Sequence, residues 1–131
     1  MASRVLIFVS HAGYGTAYQA ASLGVTAQAM GDEVVFVFSF DALRQLARGT
    51  FGQAMNERET AEVTRAEGLG AATPAKMLSE ARGLGARLLA CDTTVRICGL
   101  TPTQLVPGVL DEVAGLPSIW RLSAGARTLT F

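Results

Sequence analysis

Cys91 closes an apolar run, Leu88-Leu89-Ala90, and is followed by Asp92-Thr93-Thr94-Val95-Arg96-Ile97, which reads as a short helix. A thiol placed where a buried strand gives way to a helix faces the helix's first unpaired N–H groups. That setting favours the thiolate, the form that attacks and accepts sulfur. Arg96 adds positive charge nearby, whereas Asp92 opposes the thiolate unless its carboxylate turns away to cap the helix. The same cysteine also reads as a small buried hydrophobe, and its place at a strand end puts the two readings on an equal footing. Cys98 follows seven residues later, about 10 Å along a continuous helix and beyond the ~7 Å Cα separation that a disulfide tolerates. Two free thiols are expected, with Cys98 in the core.

A second candidate is the turn Ser10-His11-Ala12-Gly13-Tyr14-Gly15-Thr16. Its glycines suit a strand-to-helix connection that could offer backbone N–H groups to an anion. It lacks the lysine of a phosphate-binding loop and the third glycine of a dinucleotide fingerprint, so a plain tight turn is the favoured reading. His11, the sole histidine, falls at the same place, where it could exchange a proton or contact a thiolate, or simply be a polar loop residue. One histidine and two cysteines fit no zinc pattern, and no G-x-S-x-G elbow is present, so neither a metal nor a cofactor is expected.

These residues need a frame to bring them together. Val5-Leu6-Ile7-Phe8-Val9 reads as a central parallel strand, residues 16–30 as a helix stopped by Gly31, and residues 33–40 as a second buried strand. Asp41 is expected to cap a short helix over 42–47. Residues 48–72 are looser and glycine-punctuated, with one helix candidate over 56–67, and read as an excursion over an edge or mouth of the sheet, a candidate lid. Thr73 and Pro74 open a further helix that Gly85 ends. The third strand is Arg87–Cys91, with the short helix over 93–97 after it. Leu105-Val106-Pro107 is a candidate fourth strand, residues 109–122 a helix strained by Gly115 and Pro117, and residues 127–131 an edge strand. Trp120 and its apolar neighbours read as core or as a subunit interface.

Strand-helix alternation predicts an α/β fold, a single-domain three-layer α/β/α sandwich spanning residues 1–131 on a mainly parallel five-stranded sheet. Ligands of such sheets bind beyond the carboxyl ends of the strands, where residues 10–16, 39–43 and 91–96 converge. The chain has 131 residues, half of them hydrophobic, enough for one core without staples. No apolar run reaches the ~20 residues of a membrane span. Eleven cations, ten of them arginine, balance eleven anions and are scattered, so neither nucleic acid nor a membrane is an expected partner. With no leader-like N-terminus, a cytoplasmic location is expected.

The segment from Ala75 through Cys91, then Val95-Arg96-Ile97-Cys98-Gly99-Leu100 and Leu105-Val106-Pro107-Gly108-Val109, resembles the DsrE-like sulfur-relay proteins. So does the early stretch from Ala21 to Val34 with Phe38-Ser39-Phe40-Asp41-Ala42-Leu43. The resemblance covers nearly the whole chain, as patterns around one cysteine rather than a long signature. It implies a trimer or hexamer, and a cysteine, here Cys91, that accepts sulfane sulfur as a persulfide and hands it to a partner protein. Asp92-Thr93-Thr94 departs from the serine- and methionine-rich surroundings usual there. The first expectation is therefore a cytoplasmic sulfur carrier with donor and acceptor proteins as partners, catalytic Cys91, and His11, Gly13, Tyr14, Gly15, Asp92, Thr93 and Arg96 around the bound sulfur. The alternative is a non-catalytic oligomeric module that holds a small anion or nucleotide at the same edge of the sheet.

Overall fold

Runs of consecutive β-branched and aromatic residues form the centre of the sheet, as expected of strands buried on both faces. In the computed structural model, which describes residues 3–131, these are β1 (Arg4–Val9), β2 (Glu33–Phe38) and β3 (Arg87–Cys91). Two short strands complete it, β4 (Glu112–Ala114) and β5 (Arg127–Thr130), in the order β4-β3-β2-β1-β5 with every neighbouring pair parallel.

Right-handed crossovers then dictate the layers. The connections from β1 through β4 all advance in one direction and stack their helices on one face: α1 (Tyr14–Ala29), α2 (Phe40–Arg48), α3 (Glu57–Gly68), α4 (Pro74–Gly83), α5 (Asp92–Ile97) and α6 (Pro102–Leu105). The return from β4 to β5, beside β1, carries α7 (Leu116–Leu122) across the opposite face. The predicted three-layer sandwich is thus present with unequal outer layers. The first face holds the large core of Val5, Ile7, Val34, Phe36, Leu88 and their helical partners. The second holds Leu6, Val35, Val37, Leu89, Cys91 and Ala114 under Ile119 of α7.

Close packing of α1 on the sheet comes from small residues: Ala17, Ala20, Ala21 and Gly24 are its buried positions besides Tyr14. At Gly24 a Cβ would lie 2.1 Å from Cζ of the fully buried Phe36. Gly24→Ala is therefore expected to destabilise the fold by about 2 kcal/mol, the overpacking cost exceeding the ~1 kcal/mol that alanine gains in a helix. A urea midpoint equal to or above that of the native chain would contradict this.

Several sequence expectations are corrected. Residues 105–107 are not a strand: Leu105 ends α6, and the Val106–Pro107 peptide is cis. The fourth strand lies inside the expected helix over 109–122, which splits into β4 and α7 at Gly115. Asp111 places β4: its N–H donates to Leu88 O (2.8 Å), its Oδ2 accepts from Leu88 N (2.7 Å), and its Oδ1 accepts from Arg82 Nη2 (2.8 Å). The second strand stops at Phe38, and Ser39, not Asp41, is the N-cap of α2; Asp41 sits in its first turn and pairs with Arg44 at 2.7 Å. Thr73 caps α4 as expected, its Oγ1 accepting from Lys76 N, and Gly31 takes the left-handed turn after α1.

Candidate functional site

Three strand ends bring the candidate residues to one edge. Beyond β1, β2 and β3 the chain continues through Ser10–Gly13, Ser39 and Cys91, and two backbone bonds knit the first two segments: Ser39 N to Val9 O (3.0 Å) and Ala42 N to Ser10 O (3.3 Å). Cys91 is both the last residue of β3 and the N-cap of α5. Pleat alternation sends its side chain to the same face as Leu89, into the cluster under Ile119, with Ala114 opposite it in register. It is 6% exposed. Its carbonyl accepts from Thr94 Oγ1 at 2.9 Å, which fixes the turn, and both cysteines are free thiols.

The neighbouring charges pair with each other. Asp92 is paired with Arg96 one turn later, and this hydrogen bond to Asp92 pushes the Arg96 guanidinium further up from its ordinary value. Arg96 and Thr93 are exposed and Asp92 half-buried, so the Asp92-Arg96 pair sits on the surface of α5 beside the cysteine. Cys98 is half-buried at the far end of the same helix.

The His11 side chain is exposed, with Nδ1 3.3 Å from Ser10 Oγ. Ser10 is itself tied to the chain end through its N–H and hydroxyl, both to Phe131 O. Among the described residues no hydrogen bond links His11 to Cys91. Gly13 and Tyr14 are buried and Gly15 exposed. A carboxylate of the chain reaches the start of α1: Glu59 Oε2 accepts from Tyr14 N at 3.3 Å, and its Oε1 accepts from Met55 N at 2.9 Å. Tyr14 is also buried, which raises its phenol above the usual value, with Tyr18, Glu62 and Glu67 adding to the effect.

Glu59 is a functional position the sequence did not reveal. Asn56 and Glu59 have the spacing of a capping box, and Asn56 Oδ1 does accept from Glu59 N (2.9 Å). The Glu59 side chain, however, bridges: one oxygen reaches back past the N-cap to Met55 N and the other crosses to α1. It is the one buried residue of α3. Residues 48–72 thus lie against α1 and the start of α4, on the face opposite the side chains around Cys91. Glu59→Ala would leave the buried Tyr14 N–H without its acceptor at about 1–3 kcal/mol and free the part-buried Met55 N–H, and amide exchange in α3 is expected to quicken by about tenfold or more while β1 to β3 stay protected. Unchanged protection in α3 would show that Glu59 does not hold it.

Phe40 also went unrecognised. It is a non-glycine residue with φ of 44°, exposed at the turn out of β2, and such strained backbone gathers at functional edges. Nothing in its sequence neighbourhood signals the conformation.

Among the described residues no three histidine, cysteine or acidic side chains gather as metal ligands, and no helix is long and apolar enough to cross a membrane. No family model and no curated protein matches the chain. Among solved structures the fold is similar to that of the YchN protein from E. coli, with a TM-score of 0.64 at 17% identity over 98% of this chain and 99% of that one. It is similar also to MTH1491 from Methanobacterium thermoautotrophicum, a protein of unknown function, with a TM-score of 0.62 at 19% identity over 98% and 99%. Both have the DsrE-like fold, and at these identities the likeness establishes the fold alone.

Proposed function

We propose that this protein is a cytoplasmic sulfur carrier that holds sulfane sulfur as a persulfide on Cys91. The observation that carries the reading is the position of Cys91. Of the chain's two thiols it is the one at the carboxyl edge of the sheet, where the strand ends and α5 begins, and ligands of parallel sheets bind at that edge. The pairing of Asp92 with Arg96 supports it, because the carboxylate next in sequence is already engaged. In the reaction the Cys91 thiolate attacks the sulfane sulfur of a persulfide or polysulfide. The new S–S bond forms as the donor's breaks, and the donor leaves as a thiolate or shortened polysulfide. An acceptor thiolate on a partner protein then takes the terminal sulfur by the same exchange. One S–S bond replaces another at each step, so no external oxidant or cofactor is consumed.

The carrier works as a homo-oligomer, a trimer or hexamer, joined through α7. Trp120 and Leu116 on that helix are 79% and 63% exposed, and with Phe8 and Pro117 they line an open, largely apolar groove of about 720 Å³. Such patches on soluble proteins are covered in use.

The test is the mass of the intact, reduced protein after exposure to inorganic polysulfide. A gain of one sulfur that dithiothreitol removes, mapped to the peptide containing Cys91, supports the reading. No gain, or gain on Cys98 alone, refutes it.

A further inference from the structure

Opposite the Cys91 face, α3 roofs a hollow of about 260 Å³. Its inner wall is apolar: Tyr14 from α1, Phe51 and Gly52 from the loop after α2, Val63 and Ala66 from α3, and Pro74 at the start of α4. Two contacts shape this wall. Phe51 is held by an edge-to-face contact with Phe38, ring centroids 5.7 Å apart at 90°. Gly52, at φ 77°, lies so close to Pro74 that a Cβ there would come within 2.5 Å of its ring. The roof is not anchored in the same way, since α3 buries only Glu59 and leaves Val63 and Ala66 half covered.

One charged side chain lines the hollow. Glu67 lines it, no lysine, arginine or histidine does, and Glu67 forms no ion pair among the described residues. At the α4 start Pro74 has no N–H, Lys76 N is taken by Thr73 Oγ1 and Met77 N by Thr73 O, which leaves the Ala75 N–H as the one first-turn donor without a partner among the described residues.

We propose that the hollow beneath α3 binds a small organic cation, an apolar body carrying one ammonium group, with the body against Tyr14, Phe51 and Pro74 and the ammonium at Glu67. The aromatic walls suit such a ligand, because ring faces attract cations as well as apolar groups. The site is independent of sulfur transfer at Cys91, which opens on the other face.

The test is an amide NMR titration of the full chain with 2-phenylethylammonium, and in parallel with 3-phenylpropanoate, an anion of similar size. Saturable shifts are expected with the ammonium at residues 51–54, 63–67 and 71–75, with a Kd of about 1 mM, and none of comparable affinity with the carboxylate. Glu67→Gln should weaken ammonium binding by about fivefold, the worth of one exposed charge pair. Ala66→Leu should fill the hollow and abolish binding while Cys91 keeps its reactivity toward polysulfide. Equal binding of the anion, no saturable shift with the ammonium, or undiminished binding in either variant would overturn the proposal. Because Glu67 is exposed, its glutamine variant reports on the site even if Ala66→Leu disturbs the helix.

Discussion

Replacing Cys91 with serine is expected to abolish polysulfide-dependent sulfur uptake, whereas Cys98→Ser retains it. The contrast is informative because burial works against it. Cys98 is half-buried and Cys91 only 6% exposed, so indiscriminate chemistry at accessible thiols would mark Cys98 first. Sulfur found on Cys91 in spite of its cover would mean that the strand end is reached by opening at Ile119, the α7 residue packed over it. Serine is close to isosteric, and a lost cysteine in an apolar cluster costs little more than a buried hydroxyl, about 1–3 kcal/mol, so the variant should remain folded. Intact mass after polysulfide, with circular dichroism as the folding control, reads the result. Equal uptake by the native chain and the Cys91→Ser variant would remove Cys91 from any carrier role.

How much of this was legible in the sequence follows from which forces are local. β1, β2 and β3 announce themselves because burial on both faces demands unbroken apolar runs, as in Val34-Val35-Phe36-Val37-Phe38. Thr73-Pro74 marks the start of α4 for an equally local reason, a side-chain cap followed by a residue that needs no partner for its nitrogen. β4 was hidden because three residues, Glu112-Val113-Ala114, carry no period, and what makes them a strand is Asp111 bonding across to Leu88 and Arg82. The site divides in the same way. That Cys91 ends a strand could be read from the apolar run before it. That its sulfur faces α7, away from residues 48–72, depends on β5 returning to the far side of β1, which is a matter of topology. The engagement of the α1 start by Glu59 spans 45 residues and has no local sign.

Trp120→Asp is expected to break the oligomer into folded protomers. Within one protomer the indole is 79% exposed, so its removal takes little from the core. Its neighbour Ile119 provides the inward contact of α7 with Val37, Leu89 and Cys91. An indole at the centre of an interface, by contrast, is the kind of residue whose loss costs about 2 kcal/mol or more, at least ~30-fold in Kd, and a carboxylate forced into that apolar groove adds its own desolvation. Light scattering coupled to gel filtration should therefore give a trimer or hexamer for the native chain and the 13.7 kDa protomer for the variant. Leu69→Asp supplies the control. Leu69 is 86% exposed at the end of α3, on the opposite side of the sheet, so it offers an equally apolar position to charge without touching α7. A native chain that runs as a monomer would refute the assembly, and assembly lost in Leu69→Asp but kept in Trp120→Asp would place the interface elsewhere. If Trp120 alone dissolves the assembly, the contact between copies rests on the same short helix that covers Cys91, and assembly and access to the thiol become one structural question.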